Sequence, residues 1–154
     1  EKFLMSEEPY LELYSVAHCW VLFERLIYKN VVKLHNQSHY LAACLKISVK
    51  LYELFGNPET FKDKLTKLND DLEAFVDETR NDDASDVRDD EFTKRINEYE
   101  RRLLMALHYE PRVPPMIVKH HIESIQFMCD KTLEDFLGSE HYNYYMERIN
   151  VKIQ

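Results

Sequence analysis

Residues 35–58 read HNQSHYLAACLKISVKLYELFGNP, and the middle of this stretch decides the fold. Leu41, Leu45 and Leu51 stand among the small side chains of Ala42, Ala43, Cys44 and Ser48, a pattern that lets neighbouring helices approach closely. Polar residues open the segment, and Gly56 and Pro58 supply its stop. The spacing predicts a helix over 37–55 at the centre of a helical bundle. The wider composition agrees. With two glycines and five prolines in 154 residues, the chain has little material for the tight turns that join many short strands, so an all-α fold is expected.

Working outward, LYSVAHCWVLFERLIY at 13–28 puts Leu13, Ala17, Trp20, Phe23 or Leu26, and Ile27 at steps of three and four. That spacing predicts one helical face, with Glu24 and Arg25 near its edge. A third helix is expected over 59–78, where Phe61, Leu65, Leu68, Leu72 and Phe75 or Val76 keep the period. RNDDASDVRDDE at 80–91 has no large apolar residue except Val87 and reads as a solvated acidic loop. Phe92, Ile96, Tyr99, Leu103 and Leu107 then stripe a fourth helix. Pro111, Pro114 and Pro115 end it and restart the chain. The next segment is helical through Ile117, His121, Ile125 and Met128, Gly138 marks a break, and HYNYYMERINVKIQ at 141–154 forms a last short helix.

A net charge of −8 works against a protein that lies along phosphates or anionic lipid, so a protein partner is expected and nucleic acid is not. No apolar run approaches the roughly 20 residues of a membrane span, and EKFLMSEEPY lacks a signal-peptide profile, so the expected location is intracellular. Cys19, Cys44 and Cys129 stand far apart in apolar contexts and read as reduced core residues. The phosphate-loop, dinucleotide, serine-nucleophile and zinc-protease motifs are missing, which argues against an enzyme and a cofactor. No metal site is expected: the aspartates of 80–91 lack the glycine and alternation of a calcium loop, and adjacent His120 and His121 point about 100° apart on a helix. His35 and His39, four apart, lack a converging third ligand. His120 with Glu123 has the spacing of an acid–base pair, which is also that of ordinary helix surface pairing. Tyr142, Tyr144 and Tyr145 have no interleaved basic patch and read as packing residues.

Three motifs taken together carry a resemblance. VAHCWVLFERLI at 16–27, LAACLKISVKLYEL at 41–54 and EYERRLLMALHY at 98–109 are similar, in order and spacing, to successive helices of a cyclin box. The run V-A-x-x-W-V-x-F-E-R-L followed by AAC more narrowly resembles the single cyclin box of the Cables family of kinase-adaptor proteins, over about Ser6 to Ile125. The resemblance implies one cyclin-like domain over 1–154, with five or six helices and an acidic insertion at about 79–90. It further implies a non-catalytic regulatory or adaptor module that binds a cyclin-dependent kinase in the nucleus or cytoplasm. Lys50 and Glu100 match the lysine and glutamate that lie side by side on the kinase-facing surface of cyclins. Glu24 and Arg25 match the acidic–Arg pair of the preceding helix, for which a structural part is expected, Arg25 reaching across helices to carbonyls or a carboxylate. The Met-Arg-Ala-Ile-Leu helix of cyclins has no counterpart, and Lys50-Leu51-Tyr52-Glu53 stands where Lys-Phe-Glu-Glu is usual. The alternative is a cyclin-fold scaffold or transcription-type binding module without a kinase partner.

Overall fold

The structure, a computed structural model, describes residues 11–53, 58–78, 89–129, 132, 134–135 and 138–153. Six helices with defined bounds occupy these residues: α1 Leu13–Tyr28, α2 Gln37–Tyr52, α3 Pro58–Glu78, α4 Asp89–Ala106, α5 Pro115–Cys129 and α6 Ser139–Ile153. No strand occurs among the described residues. The all-α expectation therefore holds. Most of the acidic loop read at 79–90 lies outside the described residues, but its last members, Asp89 and Asp90, already belong to α4.

Helix α2 is the hub. It packs against α1, α3 and α4, while α5 lies on α1, and α6 touches both α5 and α1. Its small residues explain that position: Ala42, Ala43, Cys44 and Ser48 are all buried and keep neighbouring helix axes close. Leu68, Leu72 and Val76 from α3, and Phe92, Ile96 and Leu103 from α4, fill the core around it. Those positions follow the predicted stripes.

Two helix ends are fixed by the same local device. After α1, Asn30 adopts a left-handed backbone (φ 58°), with Val31 N–H donating to Leu26 O at 3.0 Å and Asn30 N–H to Ile27 O at 2.9 Å. This pair of bonds is a Schellman closure, and Asn tolerates the left-handed position better than most side chains. The same closure ends α4, where Tyr109 N–H donates to Leu104 O and His108 N–H to Met105 O. There His108 (φ 54°) and Tyr109 (φ 59°) both take the strained conformation. Pro115 then opens α5, in a first-turn position that requires no N–H donor.

Two sequence registers need correction. In α1, Trp20 and Ile27 face solvent, and the core face runs through the expected Ala17, Phe23 and Leu26 together with Tyr14, His18, Val21 and Leu22. This helix is apolar on nearly every side, so a spacing of three and four fits more than one face. In α5 the expected stripe Ile117, Ile125 and Met128 is exposed and His121 half-buried, while Val118 and Ile122 are the residues in the core. The apolar positions of α5 likewise cover more of the helix than one neighbour can bury.

Candidate partner-docking site

The chain brings Lys50 and Glu100 together. Lys50 comes from the last turn of α2 and Glu100 from the middle of α4, and the packing of these two helices places Lys50 Nζ 2.7 Å from Glu100 Oε2. Fifty residues separate them in sequence. The pair is asymmetric: the Lys50 side chain is 37 % exposed, whereas that of Glu100 is 12 % exposed.

Lys46, one turn earlier on α2, supplies a third member. Its ammonium lies 3.5 Å from Glu100 Oε1 and donates to Asn97 Oδ1 at 3.2 Å, with only 5 % of its side chain exposed. Burial lowers its pKa by penalising the charged form, and neighbouring Lys50 acts in the same direction, while the Glu100 carboxylate opposes both. Glu100 Oε1 is buried and makes no hydrogen bond of ordinary length among the described residues. Glu100 thus sits between a buried and an exposed lysine. The sequence marked Lys50 and Glu100 but not Lys46. A lysine among Leu45, Ile47 and Val49 in the centre of an apolar helix was the signal, because such a position requires an anionic partner.

Beside these groups on α4 lies a separate, exposed charge fork. Glu98 Oε1 accepts from Arg101 Nη2 at 2.7 Å and Arg102 Nε at 3.0 Å, and Oε2 accepts from Arg101 Nε at 3.0 Å. These bonds hold the Glu98 carboxyl down to about 2. Arg102 also lies over the ring of Tyr99, 5.5 Å from its centroid, and that ring stacks on buried His39. His39 is therefore a packing residue, while its sequence neighbour in the suspected metal pair, His35, is exposed. Among the described residues no three His, Cys, Asp or Glu side chains gather as a metal site would require. Lys119 lies 3.7 Å from Glu123, so an ordinary surface cation faces that carboxylate.

Glu24 is exposed and Arg25 half-buried on α1, and the cross-helix bond expected of Arg25 is not made among the described residues. Two other groups tie the helices together. His18, fully buried on α1, has Nδ1 2.7 Å from Ser48 Oγ of α2 and Nε2 2.9 Å from the carbonyl of Pro111 in the α4–α5 link. A carbonyl only accepts, so Nε2 carries a proton and donates to Pro111, while the Ser48 hydroxyl, which also lies 2.9 Å from the Cys44 carbonyl, has one proton to divide between that oxygen and Nδ1. Tyr52 packs edge-on against both His18 and Tyr14. The second tie is Glu53, whose carboxylate accepts the Glu12 N–H at the start of α1 at 2.9 Å and pairs with Lys64 of α3 at 2.5 Å. A carboxylate at that place satisfies an orphan donor and complements the helix dipole.

Cys19 and Cys44 are free, buried thiols, and burial pushes both well above the ordinary thiol range. Tyr145 is buried, Tyr144 donates to Glu12 Oε1 at 3.2 Å, and Tyr142 is half-buried. No helix among the described residues is long and apolar enough to cross a membrane.

These features define an all-helical bundle in which a cross-helix Lys–Glu–Lys cluster reaches the surface at Lys50. Compared with protein-family models, curated proteins and solved structures, the chain matches none.

Proposed function

We propose that the chain is a non-catalytic, cyclin-like regulatory or adaptor module that docks a cyclin-dependent kinase on the surface around Lys50 and Glu100, in the nucleus or cytoplasm. The observation that carries this reading is the 2.7 Å pair itself, formed between two residues singled out by separate motifs of the resemblance. Two positions that the resemblance marks on separate helices thus meet at the surface of the folded chain, which supports the reading.

The chemistry suits a docked main chain. An ammonium has three donors, and Lys50 spends one on Glu100, leaving two for carbonyls of a partner helix or loop. Lys46 and Asn97 hold the base of the cluster, so the docking groups are positioned before the partner arrives. The net charge of −8 disfavours a duplex nucleic acid as the ligand.

Capture of kinases from the native lysate tests the reading, using the wild-type domain beside Lys50→Met. The methionine keeps the aliphatic bulk and removes only the donors. A charge exchange at Glu100 is a poorer control, because a lysine there faces buried Lys46. Recovery of a cyclin-dependent kinase by wild type and its loss from Lys50→Met supports the proposal. If wild type recovers no kinase, the bundle is a scaffold without that partner.

A further inference from the structure

The outer face of α1 and the link to α2 form a second surface, on different residues from the cluster around Glu100. Trp20, Ile27 and Tyr28 lie on the solvent side of α1 at helical spacing, and Leu34 follows in the link. Their exposures are 42 %, 50 %, 89 % and 87 %, high for side chains of this size. Arg25 and Lys29, four apart, lie further round the helix, beyond Tyr28 and turned away from Trp20. Lys33 in the link folds back so that its ammonium donates to Asn30 Oδ1 at the end of α1.

Charge is segregated here. From Arg25 to Tyr52 the chain has five Lys and Arg residues and no Asp or Glu, within a molecule of net charge −8. Lys46 and Lys50 are matched by Glu100. Arg25, Lys29 and Lys33 form no ion pair among the described residues. Exposed apolar anchors beside unmatched cations therefore stand apart from the acidic remainder of the chain.

We infer that this surface binds an acidic peptide segment that places aliphatic or aromatic residues on Trp20, Ile27, Tyr28 and Leu34 and carboxylates on Lys29 and Lys33. A peptide fits better than an extended polyanion or an anionic membrane. Glu24 lies exposed on the same face, four residues after Trp20 and four before Tyr28, and repels a uniformly negative surface at its centre. The net charge of −8 opposes the same approach at longer range. A short segment meets only the local field, and its apolar residues avoid Glu24 while its carboxylates reach the lysines at the edge. Neither the occupant nor the residues depend on kinase docking.

The chain has one tryptophan, Trp20, which lies inside the surface and reports occupancy directly. The test is selection from a random peptide display library on the wild-type domain and on Lys29→Glu/Lys33→Glu, two exposed positions whose exchange leaves the core intact. Selected Trp-free peptides are then titrated against Trp20 emission. The expected result is an acidic consensus with apolar anchors, a shift of Trp20 emission to shorter wavelength, and at least tenfold weaker binding to the double variant. Binding is also expected to weaken between 50 and 500 mM salt, as pairs near the surface are screened. No enriched consensus, one without acidic residues, or equal binding by the double variant overturns the inference. So does a Trp20 response to phosphatidylserine vesicles equal to that given by the peptides.

Discussion

Replacing Glu100 by Gln removes the anion that faces Lys46 while keeping the shape of the side chain. The Lys46 side chain, 5 % exposed, keeps its 3.2 Å bond to Asn97 and a neutral amide oxygen nearby but loses its counter-charge. Breaking a fully buried pair costs about 3–5 kcal/mol, and the partial exposure of Glu100 places this case at the lower end, about 3 kcal/mol. For a chain of this length that corresponds to a fall in Tm of about 6–12 °C. Lys50→Met breaks the other half of the cluster, but Lys50 is 37 % exposed, so its loss costs about 1 kcal/mol or less.

The two variants also differ with pH. Burial sets the folded pKa of Lys46 below its unfolded value. Between those values the unfolded chain binds more protons, so stability rises with pH, and below both the cost of the buried charge is fully present. Loss of the Glu100 carboxylate lowers the folded pKa of Lys46 further. The penalty of Glu100→Gln is therefore largest at neutral pH and shrinks as pH rises toward the ordinary lysine range. Urea unfolding of wild type, Glu100→Gln and Lys50→Met across neutral to alkaline pH measures this directly. Equal destabilisation by the two variants, or a Glu100→Gln penalty that grows with pH, refutes the reasoning.

The remaining predictions concern the supports of the fold. Ser48→Ala removes the hydroxyl that bridges buried His18 Nδ1 and the Cys44 carbonyl and is expected to cost about 1–3 kcal/mol by urea unfolding. Ile122→Ala is expected to cost about 2–4 kcal/mol, whereas Met128→Ser on the exposed side of α5 changes stability by about 0.5 kcal/mol or less. Native Cys19 and Cys44 are expected to resist a thiol reagent until the chain unfolds, because both are buried with raised pKa values. By carbon NMR, Glu98 is expected to titrate near 2, and to return toward the usual carboxylate range when Arg101 and Arg102 are both replaced by Ala.

Much of the bundle was legible where polar and apolar residues alternate cleanly. In α3 and α4 charged residues mark the outer face, so Leu68, Leu72, Ile96 and Leu103 stood out as core. In α1 and α5 apolar residues surround the helix, and the choice of face depends on neighbours that lie far away in sequence. Trp20 and Ile125 were misplaced for that reason. The central position of α2 followed from its small residues, since close helix approach requires them.

The candidate site was legible only in part. Lys50 and Glu100 were marked by motif, and their proximity arises from the packing of α2 on α4, which no local pattern encodes. Lys46 looked like one more charge in a helix until its burial was known. Glu53 was hidden in a different way, because its partners, the Glu12 amide and Lys64, belong to helices on either side of α2 in the chain. Arg25, marked by resemblance, has a half-buried place but no cross-helix side-chain bond among the described residues.

The most direct measurement is the affinity of the purified domain for a panel of purified cyclin-dependent kinases, with Lys50→Met measured alongside and its Tm recorded. The account predicts a kinase that binds wild type and binds Lys50→Met at least tenfold more weakly, a loss of about 1.4 kcal/mol, while the Tm of the variant stays within a few degrees. Equal binding of wild type and Lys50→Met by every kinase that binds, or no binding across the panel, contradicts it.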